Sequence, residues 1–348
     1  MAPKRKKKAK AKPPSTNIFA ATTASQIEEL LVWGEDIEKE RIGEWPHSDE
    51  TPLSSACQRG VFEVVDCLLN HGADPMHHVP FSLGPIQIAA QEGFVVIVER
   101  LVRAGVDIND DQGGKTSTPL MLASQMGHVD VVDFLLSRGV NKEKKDKYGA
   151  SSLMEACSKE KVDVVDRLLS AGCDVHSLDQ HNTSILMIAA GTGCLSIVDR
   201  LLVHGADPHH KNEHGANALM RAAANGSLEV VDRLVSVGCN LFEANNNGQD
   251  ALMMACQDSH FGVVDRLLSL GCDVNVQDLK WKETPLIIAC SRGRADIVRL
   301  LLDHGADLSK CDRDGKRAID HADTSEIQTL LNGLILLSSH HHHHHHVP

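Results

Sequence analysis

Residues 250–275 read DALMMACQDSHFGVVDRLLSLGCDVN. The stretch opens on Asp250, whose side chain can accept a hydrogen bond from the free amides of a first helical turn. A short apolar helix follows, then a turn, and then Val263, Val264, Leu267 and Leu268 recur at helical spacing. Gly271 closes this second helix as a left-handed cap. The unit is therefore helix, turn, helix, glycine, and it returns along the chain. Its closing glycine stands at Gly34, Gly72, Gly105, Gly139, Gly172, Gly205, Gly238, Gly271 and Gly305, spaced 38, 33, 34, 33, 33, 33, 33 and 34 residues. A period of this size marks a stacked array in which each unit buries its apolar face only against its neighbours.

Other positions keep step with the glycine. The first helix starts at Thr51, Thr118, Ser151, Ser184, Asn217, Asp250 or Thr284, all capping residues, and only Gly84 departs. Pro52, Pro85, Pro119 and Pro285 take the first helical position, where a missing N–H costs nothing. Thr51-Pro52-Leu53, Thr118-Pro119-Leu120-Met121-Leu122-Ala123 and Thr284-Pro285-Leu286 resemble the ankyrin TPLH-x-A motif, and His71-Gly72-Ala73-Asp74 resembles its closing GAD segment. The resemblance implies an all-α ankyrin-repeat solenoid of helix-turn-helix units with β-turn loop fingers. Eight full repeats span 49–315, with an N-terminal half-repeat over 25–48 and a shortened cap over 316–337. Residues 1–24 are expected to form a disordered basic tail. The histidines within 339–348 look like a purification tag and are set aside.

The middle repeats depart from the family pattern. They replace the Thr-Pro pair by Ser151-Ser152, Ser184-Ile185, Asn217-Ala218 and Asp250-Ala251, each still with a capping residue. Where the motif has histidine, Met121, Met154, Met187, Met220 and Met253 form a ladder. It reads either as an adaptable apolar binding stripe or as core between repeats.

Composition agrees with a thin, repeated core. Apolar residues make up 42% of the 348, but aromatics only 3%, so aliphatic and small side chains must fill it. Residues 1–12 hold seven of the 35 Lys and Arg and no acid, which leaves 28 cations against 47 acids, or −19, on the remainder. No run of 18 apolar residues occurs, the basic head lacks the apolar stretch of a signal peptide, and Ala2 is not the glycine that myristoylation needs. A nuclear or cytoplasmic chain without a membrane anchor is the expectation.

No catalytic residue, cofactor or metal site is expected. Every Ser, His and acid combination lies within a repeated unit whose copies explain it as packing, capping or solvated face. The ten cysteines show no paired spacing. Cys57, Cys157, Cys256 and Cys290 stand in for a small helix residue, and Cys173, Cys239 and Cys272 for the alanine after the closing glycine, which reads as reduced structural thiols. His77-His78 and His209-His210 with His214 fall on loops and lack an obvious fourth ligand. The Asn182-Thr183-Ser184 sequon is idle without a secretory signal. Acid-Arg pairs recur at Glu99-Arg100, Asp166-Arg167, Asp199-Arg200, Asp232-Arg233 and Asp265-Arg266, a pattern that predicts ion pairs between neighbouring repeats.

Two features point to binding. Lys4, Arg5, Lys6, Lys7 and Lys8 resemble a nuclear localisation signal, with a nucleic-acid or acidic-lipid tether and a solubilising tail as the alternatives. The second feature is the concave surface that ankyrin-like repeats present, formed by loop tips and first-helix faces. There the sequence varies while the core repeats. Tip residues Tyr148, His181, His214, Asn247 and Trp281, with Glu155, Lys159, Arg221, Asn225 and Asp258 on the first helices, are the expected contacts for a protein partner. The resemblance further implies hydroxylation by an asparaginyl hydroxylase at Asn109, Asn275 and, less typically, His176. The expected function is a monomeric, non-enzymatic scaffold. Its rivals are an ankyrin module of a larger channel, ubiquitin-ligase or kinase complex, and a chain tethered to nucleic acid by its tail.

Overall fold

The computed structural model describes residues 13–43 and 49–344. Helices account for nearly all regular structure, and the only β pairings among the described residues are isolated bridges at loop bases. No described helix is long and apolar enough to cross a membrane. The helices gather into two compact units that meet in sequence at Cys173 and Asp174.

The first unit starts with α1 (Ala24–Trp33), followed by α2 (Pro52–Arg59) and α3 (Phe62–Asn70), α4 (Pro85–Glu92) and α5 (Val95–Arg103), α6 (Pro119–Met126) and α7 (Val129–Ser137), and α8 (Ser152–Ser158) and α9 (Val162–Ser170). Within it, α2, α4, α6 and α8 pack side by side as one row, and α1, α3, α5, α7 and α9 as a second. The second unit holds α10 (Ile185–Thr192) and α11 (Leu195–Val203), α12 (Ala218–Asn225) and α13 (Leu228–Ser236), α14 (Ala251–Gln257) and α15 (Phe261–Ser269), α16 (Pro285–Ser291) and α17 (Ala295–Asp303), α18 (Ala318–His321) and α19 (Ser325–His344), again in two rows.

The capping residues act as the sequence requires. Thr51, Thr118, Ser151, Ser184, Asn217, Asp250 and Thr284 each accept a hydrogen bond from the backbone amide three residues on. Gly84 has no side chain to do so, and the Gln87 side chain instead accepts from the Gly84 amide at 2.6 Å. The turn glycines have a second reason besides left-handed backbone. A Cβ on Gly93 would meet the His128 ring at 2.5 Å, and one on Gly226 the His260 ring at 2.4 Å, because the side chain one repeat on lies across each turn. Those rings also reach back, His128 Nε2 to the Gln91 carbonyl and His260 Nε2 to that of Ala224, both at 2.8 Å.

Burial decides between the two readings of the methionine ladder. Met121, Met154, Met187, Met220 and Met253 are 0–2% exposed, so they are core, each stabilising the stack by roughly 1.5–3 kcal/mol. The cysteines at the two recurrent slots are buried and in no disulfide. Burial pushes the Cys173 thiol up to about 12 and that of Cys239 to about 11, as inert structural thiols require.

Both ends differ from expectation. The tail expected over 1–24 gives way to the fold before residue 24, because Ile18, Phe19 and Ala21 are 1%, 5% and 0% exposed. The Ser55 hydroxyl donates to the Phe19 carbonyl at 2.6 Å and Arg59 to that of Ala21 at 2.7 Å. This segment has no helical period, so periodicity alone passes over it. At the other end α19 runs through Ser338 and Ser339 to His344, past the expected cap boundary at 337, since no proline or capping glycine stops it. The Lys4–Lys8 cluster lies outside the described residues.

Candidate functional site

Five loop tips are each built on one acceptor side chain. Asp146 Oδ1 accepts from the amides of Tyr148 and Ala150, Asp179 Oδ1 from His181 and Thr183, Asn212 Oδ1 from His214 and Ala216, and Asn245 Oδ1 from Asn247 and Gln249. Asp278 serves Trp281 and Glu283 in the same way across the inserted residue. These Asx turns fix the tip backbone and leave the intervening side chain pointing outward. The sequence reading missed them, although an Asp or Asn recurring at 146, 179, 212, 245 and 278 was the signal.

In the second unit the tips are also joined main chain to main chain. The His181 carbonyl accepts from Glu213 N at 3.1 Å, His214 from Asn246 N at 2.9 Å, Asn247 from Leu279 N at 2.8 Å and Trp281 from Arg313 N at 2.9 Å. The Glu213 carboxylate sits between two of the expected residues, 2.5 Å from His181 Nδ1 and 3.4 Å from His214 Nε2. Trp281 is 50% exposed with the Lys280 ammonium 5.4 Å from its ring centroid. Burial draws the half-buried Arg221 guanidinium's pKa down, against the pull of Asp179. Asn225 donates to the Ser227 hydroxyl at 2.6 Å, and Asp258 is exposed at the end of α14.

In the first unit Tyr148 is 57% exposed with the Lys147 ammonium 5.1 Å from its ring centroid. Burial, then the adjoining Asp146, hold the Glu155 carboxyl above the usual carboxylate range, while Lys159 works the other way. Lys159 itself is exposed.

Loops and first helices enclose a local pocket in each unit, and of the expected contacts Trp281 lines one of the two. One in the second unit, about 360 Å³, is bounded by Gln249, Asp278, Trp281 and Glu283 from the loops and Gln257, Ile288, Ser291 and Arg292 from α14 and α16. Its counterpart in the first unit, about 270 Å³, lies between Asp49, Glu50, Ser82 and Leu83 and the α2 and α4 residues Ser54, Gln58, Ile88, Gln91 and Glu92. Gln257, Arg292, Gln58 and Gln91 were not singled out in the sequence. The same 33-residue stepping, carried to one more position of the first helix and to the outer repeats, finds them.

The second helices behave differently. Arg100 meets Asp66 at 2.7 Å, Arg167 meets Asp133 at 3.1 Å, Arg233 meets Asp199 and Arg266 meets Asp232, both at 2.7 Å. Each pair spans adjacent repeats and satisfies its own charges, contributing about 0–1 kcal/mol. The hydroxylation candidates also bridge repeats: Asn109 Oδ1 accepts from Asn141 N and Asn275 Oδ1 from Asp307 N, both at 2.8 Å, whereas His176 is exposed.

Known proteins share the repeat. The family described as "Ankyrin repeats (3 copies)" matches residues 86–179 and 186–278, "Ankyrin repeats (many copies)" matches 278–322, and "Ankyrin repeat" matches 48–78. The chain is 36% identical over 104 residues to the ankyrin repeat and KH domain-containing protein mask of Drosophila melanogaster, covering 30% of this chain and 3% of that protein. It is 29% identical over 109 residues to the human ankyrin repeat and SOCS box protein 11, covering 31% of this chain and 33% of that one. The matched stretch is thus a third or less of either relative's length. Among solved structures, the human ASB11 ankyrin repeat domain superposes with a TM-score of 0.58 at 29% identity, covering 62% of this chain and 96% of that domain.

Proposed function

The chain belongs to the ankyrin-repeat family, and on that premise we propose that it is a non-enzymatic adaptor, binding a protein partner through loop tips and first helices. Ankyrin repeats are in general protein-interaction modules. The observation that carries the finer reading is the contrast between the chain's two rows of helices. On the second helices, charges are repeated and paired with the neighbouring repeat. On the tips, a fixed backbone holds side chains that change from unit to unit, with Tyr148 and Trp281 exposed among them. Aromatic anchors of this kind dominate interfaces.

The test is binding of captured partners by the full chain and by variants. Tyr148→Ala with Trp281→Ala, or Lys159→Glu with Arg221→Glu, should weaken binding by at least about 1–2 kcal/mol. The thermal midpoint should barely move for the exposed positions. Binding that survives these changes and is lost on reversing Arg167 and Arg233 would place the docking surface on the second helices.

Nuclear import through Lys4–Lys8 is part of the same reading, supported by that cluster on an otherwise acidic chain. A second reading, that these repeats are one module of a larger assembly such as a ubiquitin ligase, draws on the SOCS box relative, of which this chain matches a third. A nucleic-acid tether would instead show binding that falls steeply with salt and vanishes without residues 1–12.

A further inference from the structure

On the second helices an arginine is set against an acid one repeat earlier at Arg100 on Asp66, Arg167 on Asp133, Arg233 on Asp199 and Arg266 on Asp232, while the same position is Phe134 in α7 and Leu300 in α17. In α3 the arginine position is Cys67, and the acid position one unit back, on α1, is Glu28. A thiol has replaced the guanidinium opposite a carboxylate.

A third group completes the place. His71 stands four residues after Cys67, on the same face of α3, and its Nδ1 lies 3.7 Å from Cys67 Sγ. One ligand atom from each of Glu28, Cys67 and His71 falls within 4.8 Å of the others. His71 Nδ1 also sits 2.8 Å from the Cys67 carbonyl, as His204 Nδ1 does from that of Arg200 and His304 Nδ1 from that of Leu300, both at 2.9 Å. That contact holds Nδ1, the ring nitrogen beside the Cys67 thiol, and a metal bound there would take Nδ1 in exchange for the carbonyl. At these three histidine positions, only His71 has a thiol four residues before it.

We propose that Glu28, Cys67 and His71 form a binding site for a thiophilic divalent cation of the zinc class, which staples α1 to the first repeat. A tetrahedral zinc with one sulfur, one nitrogen and one oxygen ligand holds those atoms roughly 3.5 Å apart and leaves a fourth position to water. Closing from 4.8 Å asks about an ångström of movement, which the exposed Glu28 side chain can make and His71 can make by giving up its carbonyl contact. On binding, the thiol proton leaves to water, the Cys67 sulfur donates its electron pair to the metal, and affinity rises with pH. The sequence reading passed over the site because its third ligand comes from a different helix, 39 residues away.

The test uses the full chain, reduced with a phosphine and titrated with Co²⁺, then Zn²⁺. Co²⁺ added beyond what His340 to His346 take up should produce a thiolate-to-cobalt charge-transfer band that Zn²⁺ abolishes. The histidines from His340 to His346 contain no thiol and cannot give this band. Cys67→Ser should remove it, and His71→Ala or Glu28→Gln should weaken Co²⁺ binding by at least about tenfold. If Cys67→Ser does not fold, Glu28→Gln, at an exposed position, decides. No band in the wild-type chain, a band retained by folded Cys67→Ser, or unchanged affinity in Glu28→Gln would overturn the proposal.

Discussion

Replacing Asp250 by asparagine should abolish a specific part of the chain's pH dependence. Asp250 caps α14, accepts from Met253 N at 2.9 Å and is 5% exposed. Burial is the main influence on its carboxyl and pushes it up to about 6 from an ordinary 3.8, with Asp273 adding to the rise and the backbone amides opposing it. Between those two values the folded chain holds a proton that the unfolded chain has released. This group's contribution to stability is therefore largest below about pH 4, falls as pH rises to about 6, and is level above. At 1.36 kcal/mol per pH unit, the loss between pH 4.5 and 7 is about 2 kcal/mol. For a unit of this size that is about 4–8 °C in melting temperature.

Asparagine is an established cap here, since Asn217 accepts from Met220 N at 2.9 Å one repeat earlier. There, however, the Asn217 amide also donates to Glu243, and the residue 33 positions after Glu243 is Val276, which cannot accept. An unpaired buried donor costs about 1–3 kcal/mol, so the variant's absolute stability at neutral pH is a poor readout. The slope is a clean one, because that cost does not depend on pH. Thermal melts of wild type and Asp250→Asn at several pH values should diverge by about 4–8 °C between pH 4.5 and 7, with the variant flatter. Parallel curves would refute the reasoning.

Three further outcomes are expected. Gly215→Ala should destabilise by about 1–3 kcal/mol, because its φ is +73° and a Cβ would lie 2.9 Å from Asn246 N, the donor to His214; Gly205→Ala, at φ +87° with open space around it, should cost only about 1 kcal/mol, and equal melts would argue against the tip linkage. Residues 1–16 fused to an inert reporter should carry it into the nucleus, and a reporter that stays cytoplasmic ends the import reading. Mass spectrometry of the protein from an animal cell should find one added oxygen on Asn109 or Asn275, and finding both these and His176 unmodified would remove hydroxylation from the account.

What the sequence revealed follows from what repeats. The capping residues, the closing glycines and the Met121 to Met253 ladder recur at fixed spacing, so each copy tests the others, and the structure places them as read. The parts that were missed lack that redundancy. Ile18, Phe19 and Ala21 are buried only because the first repeat exposes an edge, and no period announces them. The extension of α19 past Leu337 depends on the absence of a stop signal. Gln58, Gln91, Gln257 and Arg292 follow the stepping of the first helices, but the grooves they line depend on how far loop and helix stand apart, which spacing along the chain does not encode. Cys67 was legible as a departure from the arginine pattern, like Phe134 and Leu300, but its meeting with Glu28 required the packing of α1 on α3.

The central claim is that partners dock on tips and first helices. Hydroxyl-radical footprinting of the chain alone and in complex with a captured partner tests it most directly, because Tyr148, His181, His214 and Trp281 are exposed and oxidise readily. Val96, Leu228 and Phe261, exposed on the second helices, are the internal control. The account predicts protection in the complex at tip residues, with the second-helix residues as reactive as before. Protection of Val96, Leu228 or Phe261 with undiminished oxidation of all four tip residues would contradict it.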